Sequence, residues 1–219
     1  MFWLGIDTAT RSGSVALAPA GGVRLLQPGG GHAPELLTAI EALLKAAGAG
    51  AKDLAGIAVA LGPGSFTGVR VGLATAKGLG YSLGIPVTGL SSLELLARAA
   101  RLPRGSAVCA AIEAGRGEVY TARFRVADHG LERLTDDAAL PPARLGETLE
   151  RGVFVVGDGA ARIIALAPDR LSPVPVEALA PVLAAWGAQT VPAGTPYRPG
   201  GPEPNYIRPS DGATPRPRS

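Results

Sequence analysis

Residues 56–84 read GIAVALGPGSFTGVRVGLATAKGLGYSLG. Gly56 to Leu61 is an unbroken apolar run, the mark of a strand covered on both faces rather than one with a wet side. A glycine-rich turn, Gly62 to Gly68, follows, and from about Val69 to Leu83 the sequence reads as a helix. Ser65 or Thr67 can cap that helix, whose N-terminus could then hold an anion, but a purely structural turn is the favoured reading. Strand, turn and helix in this order belong to an α/β fold.

Working outward, Phe2 to Asp7 is a second apolar strand, and with Ser14 to Ala18 and Val23 to Gln27 it forms a three-stranded meander. Ala33 to Ala47 is predicted as a helix, because Leu36, Leu37, Ile40, Leu43 and Leu44 recur at three and four, Pro34 stands in the first turn and Gly48 follows the end. A strand at Pro86 to Thr88 and a helix at Ser91 to Arg101 close the first half. The second half repeats the order: strands at Ala107 to Ile112, Glu118 to Val126 and Leu131 to Leu134, a helix at Pro142 to Arg151, a strand at Val153 to Val156, then helices after Gly159 and from Val176 to Gln189. Two β-β-β-α-β-α units in succession predict a two-lobed, duplicated α/β architecture. Residues 1–103 are assigned to the first lobe and 104–208 to the second. A Pro/Arg-rich tail, 209–219, is expected to be flexible.

Composition removes several classes of function. No apolar run approaches the ~20 residues that cross a bilayer, and the N-terminus MFWLGID lacks the basic and apolar regions of a secretory signal, so a cytoplasmic protein is expected. A single cysteine, Cys109, cannot build a disulfide framework or a thiolate zinc cluster. His32 and His129 stand far apart, with no pair at helical ligand spacing, so a metallopeptidase centre has no ligands. The net charge of +3 sits mostly at the end, where Arg198, Arg208, Arg216 and Arg218 face only Glu203 and Asp211; the body has only Lys45, Lys52 and Lys77 as lysines. A phosphate-binding face needs clustered cations, so tRNA contact by this chain alone is not expected.

The duplicated pattern resembles the actin, sugar kinase and Hsp70 (ASKHA) superfamily, in which ATP lies between the lobes. The resemblance implies phosphate-binding turns, and Asp7, Thr8, Thr10, Arg116 and Glu118 are the candidate remnants of that nucleotide cleft. The first turn, Asp7-Thr-Ala-Thr-Arg-Ser-Gly13, has Ala9 where a glycine would let the backbone approach a phosphate. The second, Ile112 to Glu118, lacks an Asp-Gly-Gly turn. Asp7 and Thr8 are then expected to hydrogen-bond their own turn. Residues 62–70 also fail the spacings of a Walker A loop, a dinucleotide turn and a nucleophile elbow.

Along the helix that follows, Gly68, Gly72, Ala76, Gly80 and Gly84 recur every four residues. Interior helical glycines cost ~1 kcal/mol each, so Gly72, Gly78 and Gly80 together give up about 3 kcal/mol that close backbone packing must offset. That packing could be internal; docking of a partner helix is the favoured expectation. The expected partner surface comprises His32, Leu36, Leu37 and Ile40 from the first helix, with Gly68, Val69, Gly72, Leu73, Ala76 and Gly80 from the second.

The segments Leu4 to Ala9, Gly62 to Arg70 with Gly72 to Leu79, Gly117 to Tyr120, Gly157 to Gly159 and Pro204 to Arg208 are similar to those of the bacterial TsaB (YeaZ) family, and they span nearly the whole chain. The resemblance implies a non-catalytic scaffold in the synthesis of N6-threonylcarbamoyladenosine beside the anticodon of tRNAs that read codons beginning with A. It implies pairing with a catalytic TsaD-like subunit and a TsaE-like ATPase, possible self-association, and contact with tRNA only through the complex. No cofactor of its own is implied; ATP and a metal would belong to the partners. Glu113-Ala-Gly115 departs from the family's Asp-Ala-Arg, with Arg116 one place late. The alternative is an ATP-dependent small-molecule kinase that uses Asp7.

Overall fold

A computed structural model describes residues 1–27 and 32–207, with residues 32–34 described by backbone alone. Residue 208 and the tail 209–219 lie outside the described residues, as does the His32 side chain.

The first sheet is built from β1 (Phe2–Asp7), β2 (Ser14–Ala18), β3 (Val23–Leu25), β4 (Leu54–Ala60) and β5 (Val87–Leu90) in the order β3-β2-β1-β4-β5. β1, β2 and β3 pair antiparallel as a meander, whereas β4 lies parallel to β1, with Leu4 opposite Ile57 and Ile6 opposite Val59. The second sheet comprises β6 (Ala107–Glu113), β7 (Val119–Ala127), β8 (Gly130–Arg133), β9 (Ala138–Leu140), β10 (Val153–Val156) and β11 (Leu171–Val174). Its path β8-β7-β6-β10-β11 repeats the first sheet's order and strand directions, with β9 paired on β7. The duplication expected from the sequence is therefore present as two sheets of like topology. β9 and β11 were not expected: Ser172 and Pro173 weaken the strand pattern of β11, and proline is tolerated there because β11 is an edge.

Helices α1 (His32–Ala46) and α2 (Phe66–Leu83) pack with the first sheet, and α5 (Ala160–Ile164), with its neighbour α4 (Pro142–Thr148), packs on the second. The remaining two helices exchange. α3 (Ser92–Ala99), from the first half, lies on β6 and β7, whereas α6 (Ala180–Thr190), from the second half, lies on β1, β2 and β4. A division of the chain at 103/104 thus separates the sheets but not the helices that cover them.

The alternation of β1 explains the layering. Leu4 and Ile6 face α1 and α2 in a core with Leu36, Ile40, Val59 and Leu73, while Trp3 faces the other way into an apolar layer shared by both sheets, with Leu93, Phe124 and Leu183. The fit to α6 depends on Gly5, where a Cβ would come within 2.2 Å of the Ala180 carbonyl oxygen. A third core, around Val155, Leu145 and Ile163, lies under α4 and α5.

Candidate functional site

The turn after β1 is closed by its own side chains. Asp7 is fully buried; its Oδ1 accepts from the amides of Ala9 (3.0 Å) and Thr10 (3.2 Å), and its Oδ2 accepts from the Thr10 hydroxyl. The Thr8 hydroxyl, instead of serving the turn, donates to the Gly68 carbonyl of α2 at 2.6 Å. The amide of Ser65 donates to the Ala9 carbonyl at 2.8 Å, and Ser65, rather than Thr67, caps α2 by accepting from the Gly68 amide at 3.1 Å.

Turn and helix therefore touch backbone to backbone, and the glycine stripe is what permits it. A Cβ at Gly68 would lie 1.9 Å from the Thr8 carbonyl oxygen, at Gly72 it would lie 2.3 Å from Thr8 Oγ1, and at Gly80 it would lie 2.3 Å from Val87 Cγ2. Gly68, Val69, Gly72, Leu73, Ala76 and Gly80 are all buried in this subunit, as are Leu36 and Ile40 of α1. This corrects the expectation that they form an outward docking surface: the space left by the missing side chains is filled by the chain's own β1 turn and β5. Of the expected surface, Leu37 alone among the described side chains is exposed, at 54%.

Facing this turn across a gap is the loop between β6 and β7. Asp158, from the turn after β10, accepts from the Glu113 amide through Oδ1 at 3.0 Å. Arg162 of α5 binds Glu113 Oε2 and the Gly117 carbonyl, both at 2.9 Å. Between the lobes remains an open cleft of about 440 Å³, with Thr10, Arg11 and Ser65 on one side and Glu113, Tyr120 and Asp158 on the other. Arg11 and Asp158 also border a second hollow of about 270 Å³ beside Glu177.

Of the expected remnants, Thr10 lines the cleft and Asp7 and Thr8 lie buried behind it. Arg116 and Glu118 are on the adjoining loop but not on either wall. Arg11, Glu113, Asp158 and Arg162 are site residues that the sequence reading does not include. The signal for Asp158 was present in Gly157-Asp-Gly159, a turn following an apolar strand; nothing in the sequence ties Arg162 to a loop more than 40 positions away. Chemically, one wall carries a cation with hydroxyls and the other two carboxylates. Both oxygens of Asp7 are engaged within the protein, and Ala9 keeps its Cβ where a phosphate turn would need open backbone.

Residues 8–158 match the family model described as TsaD, tRNA N6-adenosine threonylcarbamoyltransferase. The tRNA threonylcarbamoyladenosine biosynthesis protein TsaB of Haemophilus influenzae is 34% identical over 172 residues, covering 72% of each chain. The chain belongs to the TsaB/YeaZ family. The TsaB of Escherichia coli is 36% identical over 153 residues, 68% of this chain and 66% of that protein. A crystal structure from Pseudomonas aeruginosa, described as an uncharacterized protein with similarity to peptidase YEAZ, superposes with a TM-score of 0.76 at 29% identity, covering 94% of this chain and 99% of that one. The family's two-lobed fold is thus shared over nearly the whole length. No helix among the described residues is long and apolar enough to cross a membrane.

Proposed function

We propose that this chain is a non-catalytic subunit in the formation of N6-threonylcarbamoyladenosine on tRNA, acting in the cytoplasm by docking on a homologous TsaD-like catalytic subunit, with a TsaE-like ATPase joining the pair. Membership of the TsaB/YeaZ family supports the pathway, and the match of residues 8–158 to the transferase's own family model supports the pairing of two homologous folds. In this reading tRNA, ATP and metal are handled by the partners. Against the kinase alternative stands Asp7, whose oxygens are engaged by its own turn.

In this reading the docking surface is the outer face of α2, and one observation carries it. Gly78 is exposed in mid-helix, and a Cβ built on it would meet nothing within 4 Å. The buried glycines repay their ~1 kcal/mol through contacts within the chain; Gly78 has no such repayment here. Ala74 is also exposed on this helix, Tyr81 is 76% exposed one turn on, and Leu37 is exposed on the neighbouring α1. Small exposed residues on a helix beside a largely open aromatic ring suit a closely packed partner helix.

The test is Gly78→Glu, co-expressed with the TsaD-like subunit. The substitution fills open space and favours the helix, so the variant should fold at least as well as the parent, yet the complex should be lost in native mass measurement. A normal complex would overturn this surface. Micromolar ATP binding by the isolated chain, abolished by Arg11→Ala together with phosphoryl transfer, would replace the scaffold by the kinase.

A further inference from the structure

After α6 the chain turns back over the first lobe. Residues 192–207 contain Pro192, Pro196, Pro199, Pro202 and Pro204, form no helix or strand, and run antiparallel to α2. The Tyr197 amide donates to the Gly84 carbonyl at 3.2 Å, and its ring meets Tyr81 edge-on at 5.9 Å. Further along, Gly201 lies beside Lys77. At the far end Arg70 Nε donates to the Tyr206 hydroxyl at 3.1 Å, the Tyr206 and Phe66 rings stand 5.3 Å apart, and the Arg70 guanidinium lies 3.7 Å above Phe66.

Asn205 touches both lobes. Its amide donates to the Leu61 carbonyl, at the end of β4, at 2.7 Å, and its side-chain Nδ2 donates to Asp137 Oδ2, on the connection from β8 to β9, at 2.6 Å. Asp137 is a hub with a side chain only 12% exposed: Oδ2 also accepts from the hydroxyl of Ser91, the residue before α3, and Oδ1 accepts from Arg133. Leu61 leads straight into Gly64 and Ser65 of the cleft wall.

We propose that residues 192–207 are a brace that fixes the angle between the lobes, with the Asn205–Asp137 hydrogen bond as its fastening. The exchanged helices α3 and α6 join the lobes through the layer between the sheets and form the pivot, whereas the brace follows α2 on the other face of the first sheet. The brace adds to the pivot a tie from the end of β4, which leads into the cleft wall, to Asp137 of the second lobe beside the start of α3, and that tie resists opening of the cleft. Five prolines restrict the backbone of the segment between its attachments, while Gly194, Gly200 and Gly201 turn it at positive φ. A hydrogen bond to a largely buried carboxylate is of the stronger, charge-assisted kind. The inference does not rest on the role in tRNA modification.

The full chain would be spin-labelled at two exposed positions, Lys52→Cys on the first lobe and Asp169→Cys on the second, with buried Cys109 left in place. Distance distributions would be compared for the parent, Asn205→Ala and Asn205→Asp. Loss of a hydrogen bond to a charged group should raise the population outside the parent distribution about tenfold, with Asn205→Asp exceeding Asn205→Ala because it sets two carboxylates face to face. Distributions superimposable on the parent in both variants, with native circular dichroism, would overturn the brace. So would a fall in melting temperature without any change in distance, since that describes a local staple.

Discussion

The opposite surroundings of two glycines on one helix give a test of sign. At Gly72 a Cβ would stand 2.3 Å from Thr8 Oγ1, with Ile6 and Val59 methyls at 3.5 Å behind it. Thr8 cannot swing aside cheaply, because its hydroxyl holds the Gly68 carbonyl at 2.6 Å in a buried setting. Overpacking costs about 1–3 kcal/mol, loss of that hydrogen bond about 0.5–1.5, and the better helix propensity of alanine returns ~1, leaving Gly72→Ala destabilised by about 0.5–3.5 kcal/mol. At Gly78, with open space around the Cβ, Gly→Ala should stabilise by about 0.5–1 kcal/mol. Urea midpoints at constant slope measure both. The clash is specific to one side chain, so in a Thr8→Ala background Gly72→Ala should recover most of its loss, a coupling that a double-mutant cycle reads directly. If Gly72→Ala stabilises the protein as much as Gly78→Ala does, α2 does not press its glycine face on the β1 turn. The assignment of inner and outer faces would then be wrong.

Asp7→Ala removes a fully buried acceptor of two amides and a hydroxyl, and should destabilise by about 2–3 kcal/mol in the same urea assay. A more stable Asp7→Ala protein would instead mark Asp7 as a strained group held in place for catalysis. Burial raises the Cys109 thiol above its ordinary pKa, against weaker opposing effects from the Thr121 hydrogen bond and Arg123. Below the unfolded thiol's pKa both states are protonated, so Cys109 adds no pH dependence near neutrality; as pH rises past that value the unfolded state ionises first and stability falls. Its labelling by Ellman's reagent at neutral pH should accordingly keep pace with unfolding, and a rate matching that of a free thiol would show Cys109 to be accessible.

Much of this protein is legible in its sequence. Continuous apolar runs at Gly56 to Leu61 and Ala107 to Ile112 mark the central strands, since a strand covered on both faces is predominantly apolar. Helical spacing of Leu36, Ile40, Leu43 and Leu44 placed α1, and the repeated element order implied two sheets of one topology. The motif from Gly62 to Arg70 carried the family. What the one-dimensional pattern could not hold was direction. A row of glycines says that a backbone comes near but not whose, and only the packing of the β1 turn on α2 shows that Gly68 and Gly72 receive their own chain while Gly78 is left outside. Periodicity is likewise silent on which sheet a helix covers, so the exchange of α3 and α6 became visible only where Gly5 admits the Ala180 carbonyl. Contacts between residues far apart in sequence, Arg162 with Gly117 or Asn205 with Asp137, depend on how the sheets are stacked. That stacking is decided by the shared apolar layer around Trp3, Phe124 and Leu183, a property of the assembled fold and of no single segment.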